Sequence, residues 1–167
     1  MGLTLRLLRH GRTEWSDTGR YTGHADVGLT ASGRKELAAV ELPPTDYASV
    51  VASDLRRCQE TAELIGVAAV SSRELREFDF GRMEGATWDD LDSTTQAALL
   101  AYDDFVAPGG ESVEAFGTRV DSFVAGLADG HHLLITHGGV IHHLLRREGV
   151  ARHIAPGEWI DLELSRR

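Results

Sequence analysis

Apolar and polar residues alternate from the start of the chain, where Leu3, Leu5 and Leu7 are separated by polar side chains. A period of two is typical of a half-buried strand, so we predict a first strand here. Short continuous apolar runs predict buried strands, and a second alternating stretch predicts a last strand at a sheet edge. These further strands are expected over 49–52, 67–70, 133–136 and 160–164.

Helical periods separate most of these strands. A capping residue, Thr30, predicts a helix that extends to about Val40, and Gly66 closes a helix that begins near Ser53. Further helices are expected over 88–102, 111–127 and 138–147. The stretches 16–29 and 74–85 show no clean period and are expected to be loops or irregular segments. His131-His132, before the fourth strand, resembles a solvated turn. Strands that alternate with helices predict an α/β fold, a three-layer α/β/α sandwich with a mostly parallel sheet.

Length and composition narrow the function classes. The 167 residues predict a single domain over 1–167, and the net charge of −9 argues against a nucleic-acid partner. The lone cysteine, Cys58, excludes an intrachain disulfide. No apolar run approaches the ~20 residues of a membrane helix, and the start of the chain lacks a signal-peptide core. We therefore expect a cytoplasmic protein with no membrane partner.

Polar side chains follow three of the predicted strands. These strand ends read Arg9-His10-Gly11, Ser53-Asp54-Leu55-Arg56-Arg57 and Thr136-His137-Gly138-Gly139. The carboxyl ends of parallel strands meet at one edge of a sheet, which is where ligands bind in open α/β folds. Two histidines and at least two arginines are thereby expected to converge, and helix N-termini there favour anions.

This set of residue types suits phosphoryl transfer through histidine. A neutral imidazole can attack phosphorus, and arginines can neutralise the non-bridging oxygens. An acid must protonate the departing alkoxide. The irregular segment 75–85 supplies candidates, namely Glu77, Asp79 and Glu84.

At this point the chain resembles the histidine phosphatase superfamily, also called the phosphoglycerate mutase-like family. Six stretches match in the family's order and span nearly the whole chain. They are 9–15, 19–33, 53–62, 75–85, 108–112 (Pro-Gly-Gly-Glu-Ser) and 136–140 (Thr-His-Gly-Gly-Val).

The resemblance implies a role for each matching residue. His10 is expected to be the nucleophile that becomes phosphohistidine, with Arg9 and Arg57 as phosphate ligands. Glu77 is expected to donate the proton, and His137 to be the second histidine of the pocket. Substrate-binding positions are expected at Arg9, Arg57, Ser16, Thr22, Gly23 and Gly138.

The chain departs from the family pattern at three positions. Ser16 stands where many relatives have Asn, Gly28 where they often have Pro, and Met83 where an aromatic residue is frequent. These departures put the substrate pocket in question more than the catalytic core.

The leading hypothesis is a phosphomonoester hydrolase that acts on a small phosphorylated metabolite, such as α-ribazole phosphate or a sugar or nucleotide phosphate. A phosphoglycerate mutase is the first alternative, and a catalytically silent phosphate-binding module is the second. The resemblance implies no cofactor, and no His or Cys spacing suits a metal, so we expect neither. The protein is expected to be a monomer or a homodimer.

Overall fold

A computed structural model of the chain describes residues 2–164, so Met1 and residues 165–167 lie outside the described part of the predicted domain. The described residues form a five-stranded sheet in the order β3-β2-β4-β1-β5. Its strands are β1 (Leu3–Arg9), β2 (Ser49–Ser53), β3 (Val70–Ser72), β4 (Gly130–Thr136) and β5 (Trp159–Leu164). β1, β2, β3 and β4 pair in parallel, and β5 joins β1 as an antiparallel edge. The expected mostly parallel sheet is confirmed.

Helices cover both faces of the sheet. They are α1 (Glu14–Asp17), α2 (Ala31–Leu37), α3 (Arg56–Leu64), α4 (Ser93–Ala101), α5 (Val113–Ala125) and α6 (Gly138–Arg147). Consecutive β1 residues point to opposite faces, so Leu7 packs in one apolar cluster with Phe116 of α5, and Leu8 packs in the other with Cys58 of α3. The expected three-layer sandwich is confirmed.

Several element boundaries differ from the prediction because local hydrogen bonds decide them. Thr13 and Ser16 cap each other reciprocally at the start of the short helix α1, which extends into the first two residues of the stretch expected to be a loop, 16–29. Asp92 accepts a hydrogen bond from the Thr95 amide, so the helix expected over 88–102 is divided into a 3₁₀ turn and α4. The third strand lies at Val70–Ser72, later than expected.

The paired histidines before the predicted fourth strand do not form a solvated turn. His131 and His132 are part of β4, which pairs with β1 along its whole length. The side chain of His132 is buried and its Nδ1 lies 2.7 Å from the hydroxyl of Ser49. Residue type alone assigns this polar pair to solvent, whereas strand pairing places both residues in the sheet, where the Ser49 hydroxyl and the Ala128 carbonyl satisfy the ring of His132.

No helix within residues 2–164 has the length and apolar character needed to cross a bilayer.

The antiparallel edge is tied to the sheet by a buried arginine. Arg6 of β1 is only 4% exposed, and it donates two hydrogen bonds of 2.7 Å to the carboxylate of Asp161 in β5. Its remaining amino group donates to the Tyr47 hydroxyl at 2.8 Å, and the guanidinium lies 4.6 Å from the ring of Trp159. This interaction network explains an inward-facing charge in a leucine-rich strand.

We predict that Arg6→Ala lowers the free energy of unfolding by roughly 2–4 kcal/mol, because it removes the hydrogen bonds of a buried guanidinium to Asp161 and Tyr47 together with its contact with the Trp159 ring. Urea unfolding of the variant and the wild type measures this difference. The control is Arg73→Ala, which removes an exposed arginine and should change stability by less than about 0.5 kcal/mol. Equal losses in the two variants would contradict the role of Arg6.

Candidate active site

The ends of β1, β2 and β4 bring the predicted chemistry together. The His10 amide donates to the carbonyl of Thr136 at 2.9 Å, which holds the end of β1 beside the end of β4. The rings of His10 and His137 then lie edge to face, with centroids 5.2 Å apart. Arg57, in the first turn of α3 after β2, donates to His137. The predicted convergence at one sheet edge is confirmed.

His10 is held as a neutral imidazole with one free nitrogen. Its Nδ1 lies 2.7 Å from the carbonyl oxygen of Gly11, and since a carbonyl only accepts, the proton resides on Nδ1. The lone pair is therefore on Nε2. The side chain is 6% exposed. Burial, assisted by the charges of Arg57 and Arg9, lowers the pKa of His10 to about 3. The ring is thus unprotonated at Nε2 across the neutral range.

Arg57 is fully buried, and its contacts fix three neighbours at once. Its amino groups donate to the carbonyls of Ala25 at 2.9 Å and Gly23 at 2.7 Å. Its Nε donates to Nδ1 of His137 at 3.2 Å, so that nitrogen carries no proton. Nε2 of His137 consequently carries the proton and donates to the Ser53 hydroxyl at 2.9 Å.

These contacts refine the expected role of His137. Burial, followed by the charge of Arg57, holds the pKa of His137 well below its ordinary value, so the ring is neutral. Both ring nitrogens are engaged by protein groups, Arg57 on one side and Ser53 on the other. His137 therefore orients Arg57 in this arrangement. Ser53, which sequence analysis placed in the polar strand end without a role of its own, takes part in the site through this contact.

Arg9 lies at the other side of His10. It donates to the carbonyl of Ile154 at 2.9 Å, while its buried Nε has no partner. A Cβ at position 138 would lie 3.0 Å from the Arg9 guanidinium carbon, so the glycine leaves room for this side chain. Gly138 thereby shapes the site through Arg9.

Glu77 places a carboxyl group against the start of α6. Its Oε2 accepts from the Gly139 amide and its Oε1 from the Phe78 amide, each at 2.8 Å. Burial raises the pKa of Glu77, against the opposing effect of these two amides and of the nearby arginines. A Cβ at position 139 would collide with the carboxyl group, which accounts for the second glycine of the pair.

Two residues outside the predicted set clamp the segment that carries Glu77. Arg119 of α5 forms two hydrogen bonds of 2.9 Å with the carboxylate of Glu111 and donates to the carbonyls of Glu74 and Arg76. Glu111 also accepts from the Asp79 amide at 3.0 Å. The matching stretch 108–112 pointed to Glu111, whereas nothing in the local sequence marks Arg119.

Two cavities adjoin the candidate catalytic set, defined here as Arg9, His10, Arg57, Glu77 and His137. They share Arg9, Glu77 and Phe80 in their walls, whereas Arg57 and His137 line neither of them. The smaller one, about 290 Å³, includes His10 together with Ser16 and Thr22. Its walls also include residues that sequence analysis did not assign to the site: Thr13, Gly19, Arg20 and Tyr21. The larger one, about 670 Å³, includes Gly138.

Gly23 lines neither of these two cavities in the described part of the chain. Its carbonyl accepts from Arg57 and its amide donates to a carboxylate oxygen of Glu84 at 3.0 Å. The other oxygen of Glu84 accepts from the amide of His24 at 2.7 Å. Glu84 thus orients the loop, and Gly23 serves as an anchor for Arg57.

The departures from the family pattern fall mostly outside the cavities. Gly28 faces the side chain of Arg56, and Met83 is buried in the apolar cluster of α5 and α6. Ser16 alone of the three lines a cavity, and its hydroxyl already donates to the carbonyl of Thr13 at 2.9 Å.

The lone cysteine and four further histidines were the remaining candidates, and the structure places each of them. Burial raises the pKa of Cys58 to about 12, so the thiol stays protonated. Nε2 of His24 lies 3.1 Å from the carbonyl of Glu77 and supports that segment. His143 contacts Asp121, whereas His142 and His153 line the larger cavity. Among residues 2–164, no cluster of three or more His, Cys, Asp or Glu side chains could hold a metal ion. Metal independence stays a prediction.

Comparisons with known proteins agree with this geometry. The crystal structure of TTHB049 from Thermus thermophilus superposes with a TM-score of 0.90 at 40% identity, covering 99% of this chain and 95% of that one. The crystal structure of phosphoglycerate mutase from the same organism gives a TM-score of 0.88 at 38% identity, over 99% of this chain and all (100%) of that one. The adenosylcobalamin/alpha-ribazole phosphatase of Escherichia coli K12 is 32% identical over 163 residues, which are 87% of this chain and 78% of the relative.

The family model of the histidine phosphatase superfamily (branch 1) matches residues 5–163, a range that includes every residue of the catalytic set. Relatives and structural neighbours include proteins named as phosphatases and as phosphoglycerate mutases. The chain belongs to the histidine phosphatase superfamily, branch 1.

Proposed function

We propose that the chain is a phosphomonoester hydrolase that works through a phosphohistidine on His10. The observation that carries the proposal is the unprotonated Nε2 of His10, held beside two arginines and a carboxyl group of raised pKa. Such a group can attack phosphorus without first losing a proton.

The first step forms a bond between Nε2 of His10 and phosphorus while the ester P–O bond breaks. The electron pair of that bond leaves with the alkoxide, which takes the proton of the Glu77 carboxyl group. Arg9 and Arg57 balance the charge on the non-bridging oxygens. Arg57 is buried and Arg9 half-buried, so water screens their attraction to the phosphoryl oxygens less than it would at the surface.

The second step reverses the proton transfer. A water attacks phosphorus, Glu77 as carboxylate accepts its proton, and the N–P electron pair returns to Nε2. The bond between Nδ1 of His10 and the carbonyl of Gly11 keeps the ring in place through both steps. The products are the alcohol and inorganic phosphate.

We favour hydrolysis over a mutase reaction because the segment between Glu77 and α5 is short. Over 81–111 it forms two 3₁₀ turns and the nine-residue helix α4, which leaves little chain to exclude water from a phosphohistidine. The proposed substrate is a small phosphorylated metabolite, such as α-ribazole phosphate or a sugar or nucleotide phosphate, in the cytoplasm. We propose no metal or other cofactor, and a monomer or homodimer as the working form.

We predict that His10→Ala lowers kcat/KM for p-nitrophenyl phosphate by roughly 1,000-fold or more, because the nucleophile is lost. Release of p-nitrophenol measures it. The control is His143→Gln, which alters a histidine of α6 that contacts Asp121. We expect this variant to retain the wild-type rate. Equal rates in wild type and His10→Ala would overturn the proposal.

The mutase alternative makes a different prediction in a coupled assay. With 3-phosphoglycerate as substrate, a mutase forms 2-phosphoglycerate faster than it releases phosphate. We expect phosphate release to exceed isomerisation, and the opposite order would establish the mutase.

We predict that Glu77→Gln slows hydrolysis of an alkyl phosphate by ~100- to 10,000-fold but that of p-nitrophenyl phosphate by less than ~10-fold. An alkoxide needs the proton, whereas p-nitrophenolate leaves without it. Steady-state assays of the two esters on one enzyme preparation give the comparison. If both esters slow equally, Glu77 is not the proton donor.

We expect the titration of Glu77 to determine how kcat/KM for an alkyl phosphate changes with pH. The acid must be protonated, so kcat/KM falls as pH rises through its raised pKa, while His10 stays neutral down to about pH 3. The ratio of wild-type to Glu77→Gln kcat/KM for an alkyl phosphate cancels the ionisation of the substrate itself. We predict that this ratio decreases steadily as pH rises. A ratio independent of pH would mean that a group other than Glu77 causes the fall in kcat/KM.

A further inference from the structure

We infer that the preferred substrates are phosphomonoesters whose alcohol carries a large apolar ring system, and not compact sugar phosphates. The inference rests on the proposed hydrolase function and names the leaving group that the larger cavity takes.

The walls of the larger cavity are mainly apolar and aromatic. They include four phenylalanines and aliphatic residues from α4, α5 and α6, in particular Phe78, Phe80, Phe105, Phe116, Leu99, Val113 and Ile141. Its volume of about 670 Å³ lies within the range of ~300–1,000 Å³ that holds drug-sized ligands. A phosphoryl group alone would leave most of this space empty.

The position of Glu77 connects the cavity with the leaving group. Arg9, Glu77 and Phe80 line both cavities, so the proton donor stands where the two meet. The smaller cavity is lined by the hydroxyls of Ser16 and Thr22 and, besides Arg9, by Arg20. These polar and positively charged groups suit a phosphoryl group. An ester oxygen at Glu77 then directs the carbon skeleton of the alcohol into the larger cavity.

The aromatic residues form a fixed wall. The Phe78 ring contacts three others, with centroid distances of 5.0 Å to Phe80, 5.6 Å to Phe116 and 6.0 Å to Phe105. Phe78, Phe105 and Phe116 are almost fully buried in the main apolar cluster, so their packing holds the wall rigid, and the partly buried Phe80 packs against that cluster. Ring edges and faces in this arrangement favour a flat apolar ligand.

The same wall disfavours a sugar. Hydroxyl groups placed against phenylalanine and leucine lose their water without gaining a hydrogen bond. Apart from Arg9 and Glu77, the titratable side chains around the cavity are those of Tyr102, His142, Arg152 and His153. The two histidines and Arg152 are exposed at its solvent side, where they can meet a polar tail while the phenylalanine wall stays apolar.

The test compares three phosphates of primary alcohols, so that leaving-group basicity is nearly constant: 2-(2-naphthyl)ethyl phosphate, ethyl phosphate and ribose 5-phosphate. Phosphate release gives kcat/KM for each. We expect the naphthyl ester to exceed the other two by roughly 10- to 1,000-fold, because burial of the rings contributes binding energy to the transition state.

A pair of adjacent leucines in α4 provides the matched variants. Leu99 lines the cavity, whereas its neighbour Leu100 is 77% exposed and does not. Leu99→Gln should reduce kcat/KM for the naphthyl ester by roughly 5- to 20-fold more than for ethyl phosphate. Leu100→Gln should leave the preference unchanged, which excludes a general effect on α4.

The outcomes separate the two proposals. Hydrolysis of all three esters with equal efficiency, or a preference for ribose 5-phosphate, overturns the substrate inference and leaves the hydrolase intact. No turnover of any of them, together with none of p-nitrophenyl phosphate, overturns the hydrolase and the inference with it. An equal loss of preference in Leu99→Gln and Leu100→Gln contradicts the assignment of the cavity.

Discussion

The guanidinium of Arg57 is a charge with no exposed surface, and the rest of the site is arranged around it. A buried charge is costly unless hydrogen bonds satisfy it. Here two loop carbonyls and an imidazole nitrogen do so. The loop at Gly23 and Ala25 is thereby tied to α3, and His137 is fixed in one tautomer.

The same charge sets the chemistry of His10. Burial disfavours an imidazolium, and the positive charges of Arg57 and Arg9 disfavour it further. A base that stays unprotonated in acid is unusual for histidine, whose ordinary pKa is about 6.5. The two arginines proposed to bind phosphate are thus also the groups whose charges keep His10 unprotonated.

Glu77 faces the opposite demand. It lies near two arginines and two backbone amides, all of which favour the carboxylate, yet burial outweighs them and raises its pKa. Arg119 and Glu111 hold the segment in that position from behind. An irregular segment with no hydrophobic period is therefore kept in place by hydrogen bonds to backbone carbonyls and amides.

The sequence was sufficient to predict the mostly parallel sheet, the layers and the convergence of Arg9, His10, Arg57 and His137, because the carboxyl ends of parallel strands lie at one edge of the sheet. Glu77 lies in an irregular segment, and only the resemblance to the family singled it out from Asp79 and Glu84. The sequence was not sufficient for the cap at Asp92 or for β4 at His131 and His132, where single hydrogen bonds and tertiary pairing overrode residue type. The loop partners of Arg57 could not be predicted either, because they are the backbone carbonyls of Gly23 and Ala25, and every residue type carries such a carbonyl. Part of the wall of the larger cavity comes from α4, α5 and α6. These helices are distant in the sequence, and only the fold brings them together.

If Nε2 of His10 is the nucleophile, this nitrogen carries the phosphoryl group during turnover. The decisive measurement is therefore the position of the phosphoryl group on the enzyme. The protein would be quenched in base during turnover of a phosphate ester, and the modified position located by mass spectrometry and its nitrogen by NMR. We expect one base-stable phosphoryl group on Nε2 of His10 and none in His10→Ala. A label on Nδ1 of His10 or on any other residue, or turnover with no label at all, would contradict the assignment of this nucleophile.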